Sequence, residues 1–287
     1  MQRRIRIVLT DVCNFHCACC YNEANKTKNT RQEANCEQIL QLSSKLNDYI
    51  EHVVLTGGEP LLYSHFDELV MGLHQQRIKI QLTTNGSFLH NLIEKTSILD
   101  SINRINISLD KLSPTNFRYK TQTTKNMFYT VVRNIIDIAT VHPHITINTV
   151  YDDQLTRLDV EKLINFCADN GIKDIKFIPL LDMPEAECTN RLETIIQELS
   201  NKTTAISVNT RYLTETYNVN NVNIVVLHQY CNNSCQVCKK ESFIRINCDN
   251  KINFCRKHSN NALTIKDLLA YDHNGIISIL EKRIQSE

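Results

Sequence analysis

Short apolar runs alternate with longer amphipathic stretches from residue 5 to residue 180, and this alternation limits the folds open to the chain. The apolar runs predict six strands, at 5–10, 51–56, 78–83, 104–109, 144–150 and 174–179. Helical periodicity predicts helices between them, near 34–49, 65–77, 88–99, 124–140 and 154–170. Strands that alternate with helices form parallel βα units with right-handed crossovers. Because six units are too few for a closed eight-stranded barrel, we predict an α/β protein built on a partial (β/α)6 TIM-type barrel.

Composition and charge are those of an ordinary globular protein. The chain has 287 residues, of which 42% are hydrophobic and 22% charged. The formal net charge of +1 implies no field that would attract a polyanion, so we expect no nucleic-acid partner. No apolar stretch approaches the length of a membrane span, and the N-terminus carries no signal-peptide pattern. We therefore expect a cytoplasmic protein without a membrane partner.

Twelve cysteines in a chain without a secretory signal favour metal or redox chemistry over a disulfide framework. Directly after the first predicted strand, Cys13, Cys17 and Cys20 have the spacing C-x3-C-x2-C. Three thiolates hold a [4Fe–4S] cube and leave its fourth iron free to bind a ligand. The alternative that this loop alone leaves open is a zinc site completed by His16 or Cys19.

Polar residues stand at the ends of the following predicted strands, where a parallel barrel collects its chemistry. The second strand leads into Thr56-Gly57-Gly58-Glu59-Pro60. Paired glycines let the backbone approach a ligand closely, and the glutamate can receive an ammonium group, although a simple turn is the alternative interpretation. The next three strands end in or carry the polar residues Thr84, Asn85, Ser108 and Asn148.

The cysteine loop, followed one βα unit later by Gly57-Gly58-Glu59-Pro60, resembles the radical S-adenosylmethionine (SAM) superfamily. The resemblance implies a [4Fe–4S] cluster on the three cysteines of the loop and SAM bound to its free iron. It also implies that SAM is cleaved reductively to a 5′-deoxyadenosyl radical, with electrons from an external donor such as flavodoxin or ferredoxin. The implied SAM-binding residues are Gly58, Glu59, Thr84, Asn85, Ser108, Asn148 and Leu181.

A second cysteine cluster lies near the C-terminus and consists of Cys231, Cys235, Cys238, Cys248 and Cys255. The sequence from 243 to 254 predicts a β-hairpin within this cluster. A structural zinc ribbon is one interpretation of these cysteines. A predicted helix at 191–200 and a polar connection precede it. We therefore predict a radical SAM barrel over residues 1–184, and a linker helix with a small cysteine-rich domain, twitch- or SPASM-like, over residues 185–287.

Over its whole length the chain resembles the GTP cyclase group that opens molybdenum-cofactor biosynthesis. The resemblance implies a second, auxiliary [4Fe–4S] cluster on Cys235, Cys238 and Cys255, with Cys231 or Cys248 as a candidate additional ligand. It also implies that Arg6 and Arg245 bind substrate.

Four positions at which the cyclases have a cation carry neutral residues here, namely Val54, Tyr63, Thr146 and Phe243. Each charge-assisted contact is worth roughly 1–3 kcal/mol, so affinity for a triphosphate should be largely lost. We predict a radical SAM enzyme that abstracts hydrogen from a small-molecule, nucleotide-like substrate in a biosynthetic pathway. The alternatives are a peptide-modifying maturase, a divergent GTP 3′,8-cyclase, and a non-enzymatic iron–sulfur electron-transfer or zinc-binding protein. Because Cys13 is so near the start, we expect no N-terminal leader-binding domain, and this argues against the peptide-modifying alternative.

Overall fold

The computed structural model describes residues 3–18, 20, 31–152, 154–180, 185–200, 207–209, 214–228, 244–254 and 263–286. The strands are β1 Arg3–Val8, β2 Ile50–Thr56, β3 Ile80–Thr84, β4 Arg104–Ser108, β5 Ile145–Tyr151, β6 Asp174–Pro179, β7 Ser207–Asn209, β8 Thr214–Val219, β9 Val222–Leu227, β10 Ile244–Ile246 and β11 Ile252–Asn253. The helices are α1 Cys36–Lys45, α2 Phe66–Gln75, α3 Leu89–Ile93, α4 Thr96–Ser101, α5 Pro114–Thr121, α6 Lys125–Val141, α7 Arg157–Asp169, α8 Glu185–Ser200, α9 Ile265–Leu269 and α10 His273–Ser286, with a short 3₁₀ turn at Pro60–Leu62.

All of these strands belong to one sheet, in the order β11-β10-β1-β2-β3-β4-β5-β6-β9-β8-β7. Strands β1 to β6 are parallel and follow one another in chain order, which is the order of a barrel wall and not that of a doubly wound sheet. The predicted partial (β/α)6 barrel is therefore confirmed. Two further parallel strands extend it, because β10 pairs with β1 and β9 pairs with β6.

The two faces of the sheet differ in polarity. Side chains alternate across a strand, and on β1 Ile5 and Ile7 are buried whereas Arg4 and Arg6 are only half-buried. The register places polar residues of the other parallel strands on the same face as Arg6: Gln81, Arg104, Asn106, Ser108, Thr146, Asn148, Asp174, Lys176 and Asn223. A parallel sheet that is covered on both faces is apolar on both, so this polar face is suited to bind ligands.

The helices differ from the prediction in two places. The helix predicted at 88–99 is divided into α3 and α4, because the polar stretch from Glu94 to Ser97 interrupts the apolar spacing between Ile93 and Ile98. Helix α5 was not predicted, since Phe117 is its one buried residue and it has no apolar stripe. Its start is nevertheless encoded locally: the Ser113 side chain accepts from the Asn116 amide, and a proline occupies the first turn.

The C-terminal elements return to the first strand. The hairpin predicted within 243–254 is present as β10 and β11, and β10 lies beside β1. Arg3 on β1 makes a bidentate ion pair with Glu281 on α10, at 3.1 and 2.7 Å, and the Tyr49 hydroxyl donates to the same carboxylate at 2.7 Å. Helix α8 begins at Glu185, six residues earlier than the predicted 191, and the division into domains at 184/185 stays a prediction. No helix in the described ranges is both long and apolar enough to cross a membrane.

Strand β2 carries a buried histidine, His52, whose charge is disfavoured. Its pKa is lowered to about 4, chiefly by burial; the charge of Glu51 opposes this shift, and the cations of Arg4 and Lys79 add to it. Its ordinary pKa is 6.5, so the folded state binds fewer protons than the unfolded state as pH falls from 6.5 towards 4. As the pH falls from 6.5 to 4, protonation of His52 in the unfolded state therefore lowers the free energy of unfolding by up to about 3 kcal/mol. Above pH 6.5 His52 causes no such loss.

We expect the free energy of unfolding of a His52→Gln protein to fall less between pH 7 and pH 4.5 than that of the wild type. Urea unfolding at both pH values measures the two differences. The same substitution at the exposed His74 of α2 should leave the wild-type acid sensitivity intact. An acid sensitivity of His52→Gln equal to that of the wild type would contradict this assignment.

Candidate functional site

The cysteine loop follows β1 at the carboxyl edge of the parallel strands. Cys13, Cys17 and Cys20 form no disulfide bond and are partly buried there. The Phe15 amide lies 3.4 Å from the Cys13 sulfur, and the Asn85 side-chain amide lies 3.8 Å from it. The pKa of the Cys13 thiol is raised to about 11, because the effect of burial exceeds the opposing effect of these two donors. Donors directed at a cysteine sulfur stabilise the thiolate that an iron–sulfur cluster requires.

The unpredicted helix α5 fixes the shape of this loop. The His16 amide donates to the Thr121 carbonyl at 3.0 Å, and the Ala18 amide donates to the Lys120 carbonyl at 2.9 Å. Both carbonyls belong to the last turn of α5, where carbonyl groups lack partners within the helix. The helix end and the loop therefore satisfy each other's backbone groups.

The donor set of this loop fits an iron–sulfur cluster. Cys13, Cys17 and Cys20 offer three thiolates, which hold a [4Fe–4S] cube and leave its fourth iron open. A structural zinc site takes four protein ligands, and His16 or Cys19 would have to supply the fourth. His16 is exposed, and Cys19 lies outside the described residues.

The paired glycines after β2 pack against the cysteine loop. The Gly58 amide donates to the Thr10 carbonyl and the Glu59 amide donates to the Val12 carbonyl, both at 2.7 Å. A Cβ atom at Gly58 would lie 2.2 Å from the Val12 oxygen, and one at Gly57 would lie 2.9 Å from the Thr10 oxygen. The close approach that we expected towards a ligand is therefore made to the backbone of the loop that carries the cysteines.

Glu59 is fully buried and joins the ends of two strands. Its Oε1 accepts from the Thr84 hydroxyl at 2.7 Å and from the Leu61 amide at 3.2 Å, and its Oε2 accepts from the Asn85 amide at 2.8 Å. Burial raises the pKa of this carboxyl to about 7, even though the three donors favour its charged form. The sequence did not indicate this bridging role, and the contact of Glu59 with the amino group of SAM stays a prediction.

Asn85 links this network to the cysteine loop. Its side-chain amide donates to the Asn14 oxygen at 2.9 Å, and its oxygen accepts from the Ser87 amide at 2.9 Å and hydroxyl at 2.6 Å. The Asn14 side chain in turn donates to the Ser87 hydroxyl at 3.0 Å. Four residues predicted from three separate segments, Cys13, Glu59, Thr84 and Asn85, thus form one connected group.

Ser108 and Asn148 lie on neighbouring strands further along the same edge. They are paired in the register of β4 and β5, and the exposed Ser108 lines a cavity of about 60 Å³ together with Phe15 and Asn85. Among the described residues, the Asn148 side-chain oxygen is buried without a hydrogen-bond partner. An unpaired buried acceptor costs roughly 1–3 kcal/mol, so a ligand that donates to it would be favoured. Leu181 lies outside the described residues.

The two predicted substrate-binding arginines are neighbours. Arg6 on β1 and Arg245 on β10 are partners in the parallel register and so lie on the same polar face. Arg6 donates to the Thr56 hydroxyl at 3.2 Å, and Arg245 donates to the Asn247 side-chain oxygen at 3.0 Å. Two arginines at paired positions on neighbouring strands place positive charge on this face, which favours an anionic ligand.

The positions that lack a cation have different surroundings. Val54 is the register partner of Arg6 on β2, so a cation there would extend the basic pair directly. Thr146 accepts from Arg104, which is itself paired with Asp174 at 2.8 Å. Tyr63 is buried and donates to the Ala34 carbonyl at 2.7 Å, so it packs in the core. Phe243 lies outside the described residues.

Of the second cysteine cluster, the structure describes one member. Cys248 lies in the turn between β10 and β11, with its sulfur 3.9 Å from the Gln32 side-chain oxygen. Burial and, after it, the charge of the nearby Asp11, just before the first cysteine loop, raise its pKa to about 11. The other four cysteines, Cys231, Cys235, Cys238 and Cys255, lie outside the described residues. Their roles as ligands of an auxiliary cluster stay predictions.

Comparison with known proteins agrees with this geometry. Residues 7–167 match the Radical SAM superfamily, and the chain belongs to this superfamily. Within it, the chain is 29% identical to a probable GTP 3′,8-cyclase of Sulfurisphaera tokodaii, over 98% of this chain and 88% of that protein. A probable GTP 3′,8-cyclase of Saccharolobus islandicus is 30% identical, over 94% of this chain and 88% of its own length. For the one from Methanocaldococcus jannaschii the identity is 32%, over 62% of this chain and 60% of that protein.

Solved structures share the fold. Streptococcus suis SuiB bound to the precursor peptide SuiA superposes with a TM-score of 0.71 at 17% identity, over 98% of this chain and 67% of that chain. Native anSMEcpe with bound AdoMet gives a TM-score of 0.65 at 15% identity, over 98% of this chain and 82% of that chain. Membership of the superfamily makes this protein a radical SAM enzyme with a [4Fe–4S] cluster and SAM as cofactors, and the non-enzymatic alternative is wrong.

Proposed function

We propose that this radical SAM enzyme abstracts hydrogen from a small, anionic, nucleotide-like substrate other than GTP. The observation that carries the proposal is the Arg6–Arg245 pair on the polar face of the sheet, beside the neutral Val54. Two adjacent guanidinium groups suit one phosphate or carboxylate group. The cations that would hold the rest of a triphosphate are replaced, so a ligand of lower charge fits this face better.

The cofactors would be held at the carboxyl edge of the strands. Cys13, Cys17 and Cys20 would hold the cluster, and when bound the cluster and SAM supply a one-electron reductive cleavage that generates the radical. The chain itself fixes the cysteine loop through α5 and Gly58, and it connects Glu59, Thr84 and Asn85 to that loop. The residues that would contact SAM are Gly58, Glu59, Thr84, Asn85, Ser108, Asn148 and Leu181.

A peptide is the second candidate substrate. It is favoured by the likeness in fold to Streptococcus suis SuiB, whose structure contains a precursor peptide. Against it, the polar face offers a compact basic pair, and the relatives at about 30% identity over most of this chain carry the name of a nucleotide cyclase. A divergent GTP 3′,8-cyclase is the third candidate.

The proposal also includes an auxiliary cluster, an electron donor, a cellular location and a division into two domains. An auxiliary [4Fe–4S] cluster would be held by Cys235, Cys238 and Cys255, with Cys231 or Cys248 closing its last iron. Electrons would come from a protein such as flavodoxin or ferredoxin. We place the enzyme in the cytoplasm, and we divide it into a barrel over 1–184 and an auxiliary-cluster domain over 185–287.

The test is an anaerobic reaction of the cluster-loaded protein with dithionite, SAM and GTP, followed by chromatography of 5′-deoxyadenosine and GTP. We expect 5′-deoxyadenosine to form while GTP stays at its initial concentration. A panel of nucleoside mono- and diphosphates should then include a compound that is consumed as 5′-deoxyadenosine accumulates. Consumption should fall at least about 10-fold in Arg6→Gln and Arg245→Gln, since each loses a charge-assisted contact. The same change at the exposed Arg133 of α6 serves as the control.

The outcomes separate the candidates. Loss of GTP in step with 5′-deoxyadenosine would identify a divergent cyclase and overturn the proposed substrate. Consumption that is unaffected by either arginine substitution would remove the basic pair from substrate binding. A peptide that is modified while every nucleotide stays unchanged would favour the second candidate.

A further inference from the structure

Three side chains of metal-ligating types converge at a place separate from the cysteine loop. Glu193 on α8, Glu215 on β8 and His228 just after β9 bring one ligand atom each to within 4.8 Å of the others. The His228 Nε2 atom lies 3.7 Å from Glu193 Oε1 and 3.7 Å from Glu215 Oε1. All three residues are partly buried, and none of them belongs to the cysteine-loop site or to the Arg6–Arg245 pair.

The backbone explains why they meet. Glu215 is the partner of Val226 in the antiparallel register of β8 and β9, and His228 stands two residues beyond Val226. Glu215 and His228 therefore lie on one face of the sheet. Helix α8 covers this face through its buried apolar residues, which include Ile196, and so it brings Glu193 over the two strands.

The distances are those of ion pairs, too long for hydrogen bonds and slightly longer than the spacing of coordinated ligand atoms. A separation of 3.7 Å between nitrogen and oxygen is too long for a hydrogen bond. Metal–ligand bonds of about 2.0–2.1 Å in tetrahedral geometry place ligand atoms roughly 3.3 Å apart, so a small contraction of the cluster would enclose a cation. In the described part of the chain, the His228 Nε2 atom is buried and has no hydrogen-bond partner.

The surroundings hold one carboxylate in the orientation that a ligand needs. The Tyr217 hydroxyl donates to Glu215 Oε2 at 2.7 Å, which leaves Oε1 directed at His228. A hydrogen bond to the outer oxygen of a ligating carboxylate is the usual support of a metal site. The two carboxylates also repel each other: burial and then the charge of Glu215 raise the pKa of Glu193, which His228 only partly offsets.

We propose that Glu193, Glu215 and His228 bind one divalent transition-metal cation. Two carboxylate oxygens and one imidazole nitrogen suit Mn²⁺, Fe²⁺ or Zn²⁺ and differ from the thiolate sets of the cysteine clusters. The cation would relieve the repulsion between the carboxylates and clamp α8 to β8 and β9. The site is structural, because it lies on the helix-covered face and not on the polar face that carries Arg6.

The test uses Mn²⁺ with the iron–sulfur-loaded protein, in which the cluster cysteines are already occupied. Electron paramagnetic resonance counts bound Mn²⁺, and pulsed measurements detect nitrogen coordinated to it. We expect one Mn²⁺ per chain with one imidazole nitrogen. Glu215→Gln and His228→Gln should weaken binding by at least about 10-fold, and Tyr217→Phe, which keeps all three ligands, should weaken it by about 10-fold through the lost support. Glu198→Gln, on the same helix but paired with Arg157, should bind like the wild type.

Each contrary result overturns the proposal. Absence of Mn²⁺ binding at millimolar concentration would leave the three residues as an ion-paired group. Mn²⁺ bound without a nitrogen signal, or bound equally by His228→Gln, would place the ion elsewhere. If a ligand variant fails to fold, Tyr217→Phe still decides, because unchanged affinity in that variant contradicts the arrangement.

Discussion

A Cys17→Ala protein is expected to lose about four iron atoms per chain and to form no 5′-deoxyadenosine above background. Cys17 lies between Cys13 and Cys20 in the loop that α5 holds at its backbone. With two thiolates left, the loop would hold the cluster too weakly to retain it during purification, and without the cluster no electron reaches SAM. Iron analysis and anaerobic turnover with dithionite measure the two effects.

Cys36→Ala is the matched control for this experiment. Cys36 is also a free cysteine, but it is buried at the start of α1, and burial raises the pKa of its thiol to about 11. Its replacement should lower stability by about 1 kcal/mol and leave iron content and SAM cleavage unchanged. Full iron content in Cys17→Ala, or equal loss of iron in both variants, would contradict the assignment of the loop.

The order of the parallel strands could be predicted from the sequence because it follows from alternation alone. Each of the six predicted apolar runs, of six or seven residues, corresponds to one of the strands β1 to β6, and consecutive strands joined by helices have few ways to pair. The cysteine loop could also be identified from the sequence, since the spacing of its cysteines does not depend on how the chain packs. Both features could be predicted because each depends only on residues that are close together in the sequence.

The supports of the site could not be predicted because they join distant residues. Helix α5 holds the cysteine loop through backbone carbonyls, which leave no trace in residue type. Glu59 was expected at a ligand, yet its carboxylate is bonded to Thr84, Asn85 and Leu61 inside the protein. A motif indicates which residues cluster, but the number of internal donors that each one already receives depends on packing.

The group of Glu193, Glu215 and His228 illustrates the same limit. Its members come from a helix, a strand and the residue that follows the next strand, and they meet only because β8 and β9 form an antiparallel pair that α8 covers. The sequence presented residues 200 to 222 as a polar connection, whereas the structure has strands within it. Without that hairpin the three side chains have no common face.

A Gly58→Ala protein is expected to lose both cluster iron and stability, with a fall of about 3 kcal/mol in the free energy of unfolding. The new methyl group would lie 2.2 Å from the Val12 carbonyl oxygen, which is a backbone atom of the cysteine loop. Backbone cannot rotate aside, so either the loop moves or the bond from the Gly58 amide to the Thr10 carbonyl breaks. Urea unfolding and iron analysis after anaerobic reconstitution measure these changes.

Gly72→Ala separates this effect from the general cost of adding a methyl group. A Cβ at Gly72 would lie 2.6 Å from Leu40 Cδ2, the end of a flexible side chain that can rotate, and alanine favours the helix α2 by about 1 kcal/mol. We therefore expect Gly72→Ala to keep its iron and nearly all of its stability. If Gly58→Ala also keeps its iron and stability but binds SAM more weakly, the glycine is required by SAM and not by the loop. Loss of iron together with stability means that the motif after β2 acts first on the cysteine loop, and through that loop on SAM.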